Sequence, residues 1–199
     1  MTFGEKYPMK KTALTLAALC LALTAQAQNS ATASDQPHTY GLLSLGQGRL
    51  NADCSGVQAC DRNATGGKAI VGYAFGNGFS LEGGYSHFGK FRASDGVAGL
   101  SARPEAVSLT GAFTANLTPD LGLVGRAGVA RVRTRVSAEV GSLTGAGSES
   151  HTQPIVGLGL NYALTPTTRV ELGVDATRAE VQGERANVRL VTVGARMAF

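Results

Sequence analysis

Apolar and polar residues alternate with a period of two down most of this chain, and the alternation breaks at clusters of Gly, Asn, Pro, Asp and Ser. That is the pattern of half-buried β-strands separated by turns; the 3.6-residue recurrence of an amphipathic helix is hard to find. Eight strands are predicted, at about 39–50, 66–76, 79–91, 104–117, 121–136, 152–164, 168–181 and 186–199. The last is the cleanest: Val191, Val193, Ala195, Met197 and Phe199 share one face, with Leu190, Thr192, Gly194, Arg196 and Ala198 on the other. In the seventh, Val170, Leu172, Val174 and Ala176 oppose Arg169, Glu171, Gly173 and Asp175; in the sixth, Val156, Leu158, Leu160 and Tyr162 oppose Gly157, Gly159 and Asn161. The second sets Val71, Tyr73 and Phe75 against Lys68 and Gly72, and the third sets Phe79, Leu81 and Tyr85 against Ser80, Glu82 and Gly84. Val107, Leu109 and Phe113 oppose Ser108, Thr110 and Ala112 in the fourth. The first and fifth are less regular, and Arg131, Arg133 and Arg135 interrupt the apolar side of the fifth near its far end.

Alternation by itself does not say which face meets water. A solvent-facing strand surface is normally rich in Lys and Glu. Here the less apolar face is mostly small residues with an occasional charge, including Gly72, Gly84, Gly128, Gly157, Gly159, Gly173 and Gly194. Small side chains are what the lumen of a narrow eight-strand barrel can hold. The apolar face is then the one turned to lipid, and closure of the sheet satisfies every backbone amide where no water is available. The predicted fold is therefore all-β, an eight-stranded antiparallel up-and-down transmembrane β-barrel.

The connections agree with that reading. Gly76-Asn77-Gly78, Thr118-Pro119-Asp120 and Thr165-Pro166-Thr167 are suited to tight reversals. On the opposite side the links are longer, at about 51–65, 92–103 and 137–151, although the fourth, near 182–185, is short. Short periplasmic turns and longer extracellular loops are the asymmetry of outer-membrane barrels. Phe75, Phe79, Tyr162 and Phe199 fall near the turn side, where an interfacial aromatic girdle is expected, and Tyr40 is expected to join them.

The N-terminus changes the picture of composition and compartment. Lys10 and Lys11, the apolar run from Thr12 to Thr24 and the Ala25-Gln26-Ala27 site predict a cleavable signal peptide over 1–27, with the barrel domain over 28–199. Met9 begins the more typical form of such a signal. Of 18 basic and 14 acidic residues, Lys6, Lys10, Lys11 and Glu5 leave with that segment, so the mature balance is +2. The remaining basic residues are scattered, which argues against nucleic acid as a partner. Cys54 and Cys60 are left in a polar stretch of an exported chain, where a structural disulfide is the expected state. After Ala27 no apolar run is long enough for a transmembrane helix, so any membrane span must be made of strands.

With these features in place the chain resembles the OmpA-like transmembrane-domain family, a group that includes the OmpX and Ail type proteins. The resemblance covers about 39–199 and is carried by Leu81-Glu82-Gly83-Gly84-Tyr85 running into Phe88-Gly89-Lys90, by Arg126-Ala127-Gly128, and by the terminal strand ending in Phe199. It implies a bacterial outer-membrane barrel with a closed, polar interior, and a C-terminal aromatic, here Phe199, read by the β-barrel assembly machinery. It also implies charge pairs in the lumen, with Arg126 at the family position of an inward basic residue. By alternation Lys68, Glu82, Glu171, Asp175 and Arg196 also point inward, where an unpaired charge is costly, so pairing across the lumen is expected. The peptidoglycan-binding periplasmic domain of the family's namesake has no counterpart in this sequence, so the expectation is a barrel alone.

Catalytic chemistry is not indicated. The histidines are His38, His87 and His151, and Ser86-His87 and Ser150-His151 are strand neighbours that point to opposite faces. No metal-ligand spacing and no cofactor motif is present, and the Gly141–Gly147 stretch opens no helix. The expectation is a non-enzymatic barrel with a structural or surface-interaction role in adhesion or envelope integrity. A weakly conducting small-solute pore is the alternative, and a lipid A-modifying enzyme ranks below it. Expected partners are outer-membrane lipids and lipopolysaccharide, the assembly machinery and host surface molecules, with the protein a monomer. Arg92, Arg103, Arg131, Arg133, Arg135, Arg178, Arg185 and Arg189 lie toward the outer ends and suit anionic phosphates.

Overall fold

A computed structural model of the chain describes residues 36–51, 59–94, 98–140, 143–181 and 184–199. The predicted signal segment and Cys54 lie outside these. The described elements are all strands: β1 (His38–Asn51), β2 (Ala59–Asp61), β3 (Asn63–Ala74), β4 (Phe79–His87), β5 (Phe91–Ser94), β6 (Ala98–Asn116), β7 (Leu121–Val140), β8 (Leu143–Ala163), β9 (Thr168–Val181) and β10 (Glu184–Ala198). Every pairing is antiparallel. Eight strands, β1, β3, β4, β6, β7, β8, β9 and β10, form a ring that closes where Tyr40 of β1 lies opposite Ala198 of β10. The short β2 and β5 pair with each other, and β5 pairs with β6, beyond the ring at its loop end.

The register sets the shape of the barrel. Stepping between partners from Thr39 through Tyr73, Leu81, Gly111, Ala127, Val156, Ala176 and Arg189 returns to β1 at Arg49, ten residues further along. At about 3.3 Å per residue and about 4.8 Å between strands, that stagger tilts the strands by about 40° to the axis. The outward face carries exposed apolar side chains all round, among them Leu45, Val71, Val107, Leu158 and Val193. From Val107 on β6 to Leu117 just past its end, this band is about 25 Å tall at the same rise and tilt, the height of a lipid-facing band.

Three features depart from the sequence reading. The stretches 92–103 and 137–151, expected as loops, are largely strand, with β6 and β7 paired out to Ala98 opposite Val140. Their outward positions turn polar above the apolar band, so the apolar marker disappears while the backbone ladder continues. Tyr40 points into the lumen and is fully buried, so it is no part of an interfacial girdle. The lumen is also not polar throughout. Its loop-end half is filled by Phe88, Phe91, Val132, Ile155, Val188 and Leu190 with Ala106, Ala130 and Ala179. Of these, the alternation of the last strand already places Leu190 on the inward face.

Two prolines mark where the ladder changes. Phe88-Gly89-Lys90 interrupts the strand between β4 and β5, with Gly89 at φ +99°, a conformation that favours glycine. Pro104 of β6 faces this break: Phe88 N donates to its carbonyl at 3.1 Å, and no N–H is needed there in return. Pro154 does the same on β8. Its carbonyl accepts from Thr177 Oγ1 at 2.9 Å, and the β8–β9 ladder extends only from Ile155 toward the turn end. Beyond that point β8 is paired on one side alone, to β7.

Candidate functional site

The polar half of the lumen brings six ionisable side chains together from five strands. Arg126 of β7 is the hub: its Nε donates to Glu82 Oε2 of β4 at 2.7 Å and its Nη2 to Glu171 Oε2 of β9 at 2.9 Å. Lys68 of β3 donates to Asp175 Oδ2 of β9 at 2.5 Å and lies 3.9 Å from Glu171 Oε1. Arg196 of β10 reaches Glu171 Oε2 only at 3.9 Å and lays its guanidinium over the Tyr40 ring, 3.6 Å from its centroid. Glu82 is completed by Tyr40 OH at 2.6 Å and Thr110 Oγ1 at 3.3 Å. All six charged side chains are at most 10% exposed, and three carboxylates meet three cations, so the cluster is neutral.

Glycines make the space this cluster fills. A Cβ at Gly72 would overlap the Tyr40 ring, one at Gly173 would sit 3.3 Å from Lys68 Nζ, and one at Gly159 would sit 3.5 Å from Arg126 Nη1. The small residues of the inward face are therefore matched to particular large ones across the lumen. Sequence reasoning named the six charges but missed Tyr40, whose parity with Leu42 and Ser44 and whose place opposite Gly72 would have put it inside. It also missed Asn161, which is 1% exposed and accepts from Arg169 Nη1 at 3.1 Å.

The remaining predicted residues are dispersed. Phe199 ends the chain with its side chain outward beside Gly41, and its backbone N donates to Thr39 O at 2.9 Å. Cys60 of β2 is disulfide-bonded; Cys54 is outside the described residues. The histidines do not meet. His38 Nδ1 bonds Gln36 O at 2.9 Å, His87 lies 3.8 Å from Glu105, and His151 lies 3.7 Å from Glu149. Ser86 is buried in the lumen while its neighbour His87 is partly exposed, as adjacent strand residues require. Among the described residues no group of His, Cys, Asp and Glu could hold a metal ion.

On the outside, an arginine-rich surface begins where the apolar band stops. Arg131 of β7 lies opposite Val107, Arg133 opposite Glu105, and Arg135 opposite Arg103 on β6. All four arginines are exposed. Glu105 neutralises one of them, accepting from Arg135 Nη1 at 2.8 Å, and Arg133 Nη2 donates to Ser148 Oγ at 3.3 Å.

Residues 35–199 match the OmpA-like transmembrane domain. The chain belongs to that family. It is an outer-membrane β-barrel, and by the asymmetry of such barrels its tight turns face the periplasm and its long hairpins the outside. Solved barrels share the fold of this OmpA-like chain at low identity. The attachment invasion locus protein Ail of Yersinia pestis is 16% identical over 82% of this chain and 99% of its own, with a TM-score of 0.59. Neisserial surface protein A is 12% identical over 81% and 97%, at 0.60. The N-terminal barrel domain of OprF from Pseudomonas aeruginosa is 17% identical over 81% and 98%, at 0.53. No curated protein matches the chain significantly.

Proposed function

We propose that this OmpA-like barrel works through its extracellular surface, as an attachment protein that binds polyanionic glycans, and without catalysis. The observation that carries the reading is the face formed by Arg103, Arg131, Arg133 and Arg135 on paired strands above the lipid band. Along β7 the three arginines recur every second residue, which places consecutive guanidiniums about 7 Å apart. Sulfate and phosphate groups are natural partners for forked guanidinium donors at such a spacing. Ail of Yersinia pestis, a barrel of the same fold, has been crystallised with the heparin analogue sucrose octasulfate.

The test is retention of nanodisc-embedded protein on immobilised heparin across a salt gradient. The wild type should be retained at physiological ionic strength, and Arg133→Gln with Arg135→Gln should elute at markedly lower salt, because each lost contact removes one step of the salt dependence. A wild type that flows through, or a variant that elutes with it, would sink the proposal.

The pore reading has weaker support. The polar cluster and the apolar plug close the same lumen in series, and eight strands leave little room beyond side chains. Planar-bilayer recordings of the wild type should show no stable unitary currents; if they do, the pore becomes the better reading.

A further inference from the structure

The periplasmic mouth of the barrel holds a cavity of about 310 Å³ that no part of the attachment reading uses. Its walls include Ser80, Thr114, Asn116, Asn161, Arg169 and Arg196, and among the described residues no Asp or Glu lines it. Arg169 of β9 and Arg196 of β10 are cross-strand partners, so two like charges stand directly opposite each other, an arrangement that is unfavourable in the absence of a counter-charge.

Among the described residues neither guanidinium has a carboxylate within hydrogen-bond reach. Arg196 is 3.9 Å from Glu171, whose Oε2 is already bonded to Arg126 at 2.9 Å, and Arg196 is held flat against Tyr40 instead. Arg169 donates to a neutral amide, Asn161, while Asp120 acts on it only electrostatically. The six deeper charges already cancel, so among the described residues Arg169 is a lumen cation with no hydrogen-bonded carboxylate. Two convergent guanidiniums, side-chain amides and hydroxyls round a concave, acid-free wall are the chemistry that recognises an oxyanion.

We infer that this vestibule is a binding site for a small oxyanion, of the carboxylate or phosphate class, entering from the periplasm. Arg169 and Arg196 supply the charge, Asn161 holds Arg169 toward the cavity, and Tyr40 forms the floor that fixes Arg196. This site is independent of the extracellular arginine face and stands or falls separately from it.

Isotope-labelled protein in detergent micelles would be titrated with inorganic phosphate and with acetate, each against chloride at equal ionic strength. The readout is the side-chain N–H resonances of Asn161, Arg169 and Arg196. Saturable shifts with phosphate or acetate, and not with chloride, are expected, and the two arms report which oxyanion class the site prefers. Arg169→Gln should weaken the response by roughly tenfold or more, since a charged hydrogen bond to the ligand is lost. Because Arg169 stands at the mouth and outside the buried ion-pair cluster, this variant should keep its heat-modifiable gel mobility, which reports folding. Shifts that never saturate, that chloride reproduces, or that persist unchanged in the folded variant would overturn the inference.

Discussion

Arg126 carries the clearest consequence of any single residue. It satisfies Glu82 and Glu171 at once, and both acids are 1% exposed, so its removal takes from two buried carboxylates the cation nearest to each. Breaking a buried pair from one side costs about 3–5 kcal/mol, chiefly because the partner charge stays behind. Arg126→Met should therefore lower the urea midpoint of the micelle-embedded barrel by that order. Adding Glu82→Gln should restore part of the loss, since it removes one buried charge left without its cation; no restoration would mean that Arg126 acts mainly through packing. Gly48 makes the opposite point about size. A Cβ there would overlap the Phe88 carbonyl oxygen at the break between β4 and β5, so Gly48→Ala should lose folded, heat-modifiable protein while the outward-facing Gly83→Ala, which meets nothing within 4 Å, keeps it.

Among the elements, β8 shows how one residue type sets the extent of pairing. From Ile155 to Ala163 its backbone is paired on both sides; beyond Pro154 its backbone ladder runs only to β7, and Gln153 Nε2 reaches Glu180 Oε2 of β9 through side chains at 3.0 Å. Proline has no N–H to donate, and the side chain of Thr177 takes the carbonyl that a continued ladder would use. Pro154→Val supplies the missing donor. Hydrogen exchange should then show new protection at residue 154 and its β9 neighbours, and unchanged exchange would place the cause of the parting elsewhere. At the other end of the chain, β10 closes the ring on β1 and ends in Phe199. If this aromatic is the assembly signal that the family resemblance implies, its deletion should sharply reduce outer-membrane yield in cells while refolding in detergent stays close to normal. A parallel fall in both would mark Phe199 as a structural residue only.

For the whole molecule the decisive feature is the division of the lumen into a periplasmic vestibule, a neutral ion-pair cluster and an apolar plug. The plug gives the extracellular half a core like that of a soluble domain, and Leu190, which is fully buried there, should cost about 2–5 kcal/mol when truncated to Ala. Two closures in series also predict that Arg126→Met alone does not open a conducting path. Currents that appear on that single change would show that the apolar layer does not seal the barrel.

The sequence alone determined the class of the molecule: period-two alternation placed the ring strands, and the small residues opposite their apolar face turned that face toward lipid. It also put Lys68, Glu82, Glu171, Asp175 and Arg196 on the inward side, because parity along a strand is a local property, while Arg126 was placed there by the family resemblance. What it left to the tertiary structure was which of these meet. Their pairing depends on the stagger of ten residues round the ring, and that stagger emerges only when the last strand bonds to the first. The same holds for the extracellular sheet, whose polar strands are held by backbone bonds that leave no hydrophobic trace. It holds too for the vestibule, where Arg169 and Arg196 are neighbours across a ladder and far apart along the chain.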